Sequence, residues 1–82
     1  MGWFINYEVE FDSYIDWDDE VVDASLGSFD AKYLYLRDLD KPRMVLCIYS
    51  HNTIKEVLDV LKQLYATEMR WRVYNTEEWQ FH

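Results

Sequence analysis

From residue 3 to residue 11, WFINYEVEF, side chains alternate: Trp3, Ile5, Tyr7, Val9 and Phe11 share one side, Phe4, Asn6, Glu8 and Glu10 the other. A period of two is that of a half-buried strand. From Asp16 onward acids mix with Trp17, Val21, Val22, Ala24 and Leu26 and stop at Gly27, which predicts a short helix over 17–26 ended by a left-handed glycine. AKYLYLRDL (31–39) sets Leu34 and Leu36 against Tyr33, Tyr35 and Arg37, and RMVLCIYS (43–50) is a nearly continuous apolar run of strand formers. The DLDKP between them reads as the turn of a hairpin. Thr53 and Glu56 in TIKE have the spacing of a capping box. After it Ile54, Val57, Leu58, Leu61, Leu64 and Tyr65 recur at helical intervals, with Lys55, Glu56, Asp59, Lys62 and Gln63 on the other side. EMRWRVYN (68–75) alternates Met69, Trp71 and Val73 against Arg70, Arg72 and Tyr74, and the aromatic tail EEWQFH follows.

The predicted order is strand, helix, strand, strand, helix, strand. Two such strand-helix-strand units imply an α+β fold, the ferredoxin-like βαββαβ sandwich: a four-stranded antiparallel sheet with two helices on one face and the first and last strands adjacent. Charge supports that pairing. With those two strands antiparallel, Glu8 and Glu10 face Arg70 and Arg72 on the outer side, and opposite charges across a pair contribute about 0.2–1 kcal/mol. The same side is expected to carry Tyr33, Tyr35, Tyr74 and Tyr49, which would make the helix-free face aromatic as well as charged.

Composition narrows the class. At 82 residues the chain fits one domain, with residues 76–82 as a short aromatic tail. Half of it is hydrophobic and 18% aromatic, which excludes a disordered acidic chain despite a net charge of −8. Cys47 alone cannot form an internal disulfide, and one Cys with two His cannot complete a structural zinc site. The run MVLCIY is far shorter than the roughly 20 residues that span a bilayer, and no basic-led signal precedes it, so a soluble, cytoplasmic protein is expected. Net acidity argues against direct binding to a nucleic-acid backbone, whose contacts rest on Lys and Arg.

The acids are concentrated. Residues 1–30 hold nine acids and no base, a net −9, while the remaining 52 residues sum to +1. Within DSYIDWDDEVVD lie Asp12, Asp16, Asp18, Asp19, Glu20 and Asp23. On a helix, Asp16, Asp19, Glu20 and Asp23 fall within about 100° of arc, a stripe whose members repel by a few tenths of a kcal/mol per pair. Acids favour helix N-termini by about 0.3–1 kcal/mol. That accounts for Asp16 to Glu20, but less well for Asp23 and for Glu8 to Asp12.

Three readings of the acids stay open: a solvated face, a surface for a basic protein, and a divalent-cation site, which would lack the glycine turn and ligand order of an EF-hand. Five carboxylates over residues 16–23 give one charge per roughly 2.4 Å of helix, against about 1.7 Å for duplex DNA, so imitation of nucleic acid would need the strand acids too. Cys47, His51 and His82 are the candidates for nucleophile or base, and none has the surroundings of a catalytic group. The tyrosines suggest an RNA-stacking sheet, but the basic surroundings and glycine-aromatic signature are missing.

The sequence therefore points to a small non-enzymatic interaction protein without cofactor or metal. Its acids Asp12, Asp16, Asp18, Asp19, Glu20 and Asp23 would occupy a basic surface of a partner protein, a nucleic-acid-binding surface being one form of it. Small acidic inhibitors of nucleases and defence complexes from phages and mobile elements share that general character. The alternative is an assembly protein that pairs with a second copy through Tyr33, Tyr35 and Tyr74. A regulator that binds a small ligand or metal comes third.

Overall fold

The computed structural model describes residues 4–36, 41–49 and 53–82. It contains strand β1 (Phe4–Phe11), helix α1 (Asp19–Leu26), a 3-10 turn (Gly27–Phe29), strands β2 (Lys32–Leu36) and β3 (Arg43–Tyr49), helix α2 (Ile54–Tyr65), and strands β4 (Met69–Val73) and β5 (Gln80–Phe81). All strand pairs are antiparallel, in the order β2-β3-β1-β4-β5. Trp3, Arg37, residues 38–40 of the expected DLDKP turn, Ser50 and His51 lie outside the described residues. Among the described residues no helix is long and apolar enough to cross a membrane.

The sheet has five strands, not the expected four. The tail turns back after β4 through Asn75, whose φ is 65°, with the Thr76 amide donating to the Val73 carbonyl at 3.0 Å. Its last residues pair as β5, Phe81 opposite Arg70 and Gln80 opposite Trp71. Trp79 lies against both guanidinium groups of β4, 4.2 Å from Arg70 and 4.3 Å from Arg72. The tail thus shields the β4 edge, which would otherwise present unpaired backbone groups.

One face of the sheet is the core. Val9 and Phe11 of β1, Met44, Leu46 and Ile48 of β3, and Met69 of β4 join Val22 and Leu26 of α1 and Ile54, Val57, Leu58 and Leu61 of α2 in one buried cluster. At about 1.5–3 kcal/mol per large apolar side chain, this cluster is the main stabilising term. The apolar stripe read along α2 is the face that enters it. Thr53 caps the helix, its hydroxyl accepting from the Glu56 amide at 3.3 Å, and Ala66 ends it at φ 50°, its amide donating to the Lys62 carbonyl.

The opposite face is ruled by ion pairs. The register sets Glu8 opposite Arg72 and Glu10 opposite Arg70, with Arg43 of β3 across from Glu10 on the other side. Glu10 is 4% exposed and accepts from Arg70 Nε at 2.9 Å and Arg43 Nε at 3.1 Å. Glu8 accepts from Arg72 Nη2 at 2.8 Å and lies 3.5 Å from Arg43 Nη1. Three guanidiniums thus enclose two carboxylates in the middle of the sheet. Phe4 stacks on Tyr49 at 4.1 Å at one end of this face.

Three expectations need correction. Tyr33 and Tyr35 do not lie on the outer face: both pack against the core, and Leu34 and Leu36 point outward, 61% and 39% exposed. Alternation fixes which residues share a side, but not which side is buried. At this edge strand, a tyrosine can bury its ring and keep its hydroxyl within reach of a polar partner. Second, α1 starts at Asp19, capped by Asp18, so Asp16 precedes the helix. Third, Gly27 is right-handed (φ −57°) and continues into the 3-10 turn, and Asp30 takes the left-handed position at φ 52°.

Candidate functional site

The acidic segment runs across the end of the sheet between β1 and α1. Its path is fixed by neutral contacts. The Asp12 amide donates to the Glu68 carbonyl at 2.9 Å, Ser13 Oγ and Thr67 Oγ1 lie 3.0 Å apart, and Ile15 is buried at 6% exposure. Trp17 then stacks on Tyr35, with ring centres 4.2 Å apart and planes 6° from parallel, and on Tyr65 at 5.7 Å. Tyr33 and Phe11 meet it edge-on at 5.4 and 6.1 Å. Aromatic pairs of this kind are worth about 0.5–1.5 kcal/mol each beyond their area, so the Trp17 stack holds the segment in one conformation.

Several of the acids take part in that construction. Asp18 accepts from the amides of Glu20 and Val21 at 3.0 and 3.4 Å, and its own amide donates to the Tyr65 hydroxyl at 3.1 Å. Asp19 accepts from Trp17 Nε1 at 2.7 Å and from the Tyr33 hydroxyl at 3.2 Å. Asp12 pairs with Lys41 at 3.2 Å. The Tyr33 phenol is pushed well above its ordinary value of 10.0 by burial and by the Asp19 and Asp23 carboxylates beside it. A neutral hydroxyl thus sits between two carboxylates and lowers their mutual repulsion.

Asp16 and Glu20 are different. Both are exposed, and among the described residues neither carboxylate has a hydrogen bond or ion pair. With Asp23, exposed beside Tyr33, they form the outward part of the acidic surface. The six acids read from the sequence therefore divide into fold-holding groups (Asp18, Asp19), a surface ion pair (Asp12) and solvent-facing charge (Asp16, Glu20, Asp23). Of the three tyrosines, Tyr33 and Tyr35 support this acidic surface, and Tyr74, 46% exposed, lies beyond β4 away from both.

Sequence reading missed the aromatic support. Trp17 and Tyr65 lie 48 positions apart, and only the α2 wheel hinted that Tyr65 faces inward.

Several concavities adjoin these residues, among them a shallow one along Asp19, Asp23, Lys32, Tyr33 and Tyr35. A cleft of about 320 Å³ is lined by Glu10, Asp12, Lys41, Glu68, Met69, Arg70 and Phe81. Its charges are internally paired, Lys41 with Asp12, Arg70 with Glu10 and Glu68 with Lys62. A smaller notch of about 60 Å³ is lined by Tyr14, Ile15, Asp16, Trp17 and Tyr35. Among the described residues no three His, Cys, Asp or Glu side chains converge on a position that could hold a metal ion. Comparison with family models, characterised proteins and solved structures finds no match to the chain.

Proposed function

We propose that the chain is a non-enzymatic protein-binding module whose acidic surface occupies a basic surface of a partner, in the manner of an inhibitor of a nucleic-acid-binding protein. The observation that carries this reading is the pair Asp16 and Glu20: exposed carboxylates with no internal partner, on a segment fixed by the Trp17 stack. A charge that serves the fold has a partner, as Glu8 and Glu10 do. Charges left without a partner, with Glu20 and Asp23 repelling by about 0.2–0.5 kcal/mol at helical spacing, are better explained by a partner outside the molecule. Preformed charge of one sign steers encounter with the opposite sign.

The strand order β2-β3-β1-β4 and the alternation of strands with two helices support a ferredoxin-like core, to which β5 is an addition. The alternative, assembly with a second copy through an outer tyrosine face, has lost Tyr33 and Tyr35 to the core side and has less to rest on.

The test uses amides, which keep shape and remove charge. The variant Asp16→Asn, Glu20→Gln, Asp23→Asn leaves the Asp18 cap and the Asp19 bonds in place. Proteins retained by the natural chain from a nuclease-treated lysate at low salt should be released by the variant. They should also dissociate as salt shortens the screening length from about 10 Å at 0.1 M to about 3 Å at 1 M. Retention of the same proteins by the triple variant would overturn the proposal.

A further inference from the structure

The notch beside Asp16 has a more specific chemistry than the acidic surface around it. Three aromatic side chains and one carboxylate line it, with Ile15 as the remaining wall. Trp17 and Tyr35 are locked against each other at 4.2 Å, so that part of the lining is preformed. Tyr14 is 78% exposed and, among the described residues, has neither a hydrogen bond nor a ring contact. An aromatic ring held in water beside an unpaired carboxylate does nothing for this fold.

Size and lining together define what would enter. A single water needs about 10–15 Å³, and pockets for drug-sized ligands run to about 300–1,000 Å³. At about 60 Å³ the notch takes one head group of a few heavy atoms. The faces of Trp17 are taken by Tyr35 and Tyr65, so the open ring of Tyr14 is the one that attracts a cation through its quadrupole, and the Asp16 carboxylate adds charge-assisted hydrogen bonds. Guanidinium suits both better than ammonium does, because it is planar, weakly hydrated and able to donate two parallel bonds to one carboxylate.

We infer that the Tyr14, Asp16, Trp17 and Tyr35 notch is the anchor point for an arginine side chain of the partner. This rests on the proposed acidic interface and deepens it: the general surface supplies attraction, and the notch supplies selection of arginine over lysine.

The test separates the two. Two synthetic peptides of equal length and charge, one built on arginine and one on lysine, are titrated against the full chain at low salt by calorimetry. The arginine peptide should bind about fivefold more tightly, the scale of one exposed cation–π contact. Tyr14→Ala alters no charge and removes an exposed ring, so its urea midpoint should match that of the natural chain while the preference for arginine disappears. Asp16→Asn should weaken the arginine peptide more than the lysine peptide. Equal affinity for both peptides, or a preference that survives Tyr14→Ala, would overturn the notch while leaving the acidic interface standing. Failure of both peptides to bind at low salt would overturn both.

Discussion

Replacing Glu10 with Gln should destabilise the chain more than any other single change of charge. Its side chain is 5% exposed and spans two guanidiniums, 2.8 Å from Arg70 Nη2 and 3.1 Å from Arg43 Nη2. The amide keeps the shape and one acceptor oxygen, but turns the other into a donor aimed at a cation. Breaking a fully buried ion pair costs about 3–5 kcal/mol. Here Arg43 and Arg70 are 39% and 34% exposed, so water recovers part of the loss and about 2–4 kcal/mol is expected. Against about 4–12 kcal/mol for an 82-residue domain, that is a large fraction. Urea unfolding at neutral pH reads it directly, provided the denaturant slope is unchanged. The partner change Arg70→Gln and the double variant complete a cycle whose coupling should reach about 1–3 kcal/mol. A loss below about 1 kcal/mol for Glu10→Gln, or a coupling near zero, would show that solvent screens this network as it does an ordinary surface pair.

Two further outcomes follow from the tail and from Tyr33. Truncation after Asn75 removes β5, the Trp79 ring over Arg70 and Arg72, and the 2.6 Å contact between His82 Nε2 and Asp59. It should cost about 1–3 kcal/mol and expose the β4 edge to self-pairing, so light scattering should show mass rising with concentration; an equally stable and monodisperse truncation would contradict this. Tyr33→Phe should be less stable than the natural chain near neutral pH by about 1 kcal/mol, and the gap should close as pH rises above 10. The folded phenol is raised above 10.0, so its contribution is present below that value and fades above it, where the unfolded chain ionises first. A gap of the same size at about pH 9 and pH 11 would refute the role given to Tyr33.

The fold was largely legible because its signals are periodic. Alternation in β1 and β4 set both register and partner, and Glu8 and Glu10 met Arg72 and Arg70 as their spacing predicts. Helix α2 declared itself by its cap and its stripe. What escaped was information that periodicity does not hold. A two-residue strand is too short to alternate visibly, yet Trp79 and Phe81 in EEWQFH already carried the pattern. The side of Tyr33 and Tyr35 depended on Trp17, which reaches the sheet from a loop. Arg43, the third cation of the network, lay at the start of the apolar run RMVLCIYS, whose pattern assigns it no partner.

The candidate site was legible as charge but not as structure, and the reason bears on function. All three arginines of the ion-pair network are spent on Glu8 and Glu10 at the sheet's outer face, on the strands. Lys41 and Lys62 are each within 3.5 Å of a carboxylate at Asp12 and Glu68. Among the described residues no cation forms an ion pair with the acids from Asp16 to Asp23, although Lys32 lines a concavity with Asp19 and Asp23. The chain offers hydrogen-bond donors instead: the Trp17 indole, the Tyr33 hydroxyl and the amides at the start of α1. Neutral donors hold Asp18 and Asp19 in place without cancelling their charge. Keeping the field intact while fixing its source is what an electrostatic contact requires. It also leaves Asp16, next to Tyr14 and the Trp17 stack, as a carboxylate free to take a cation from outside.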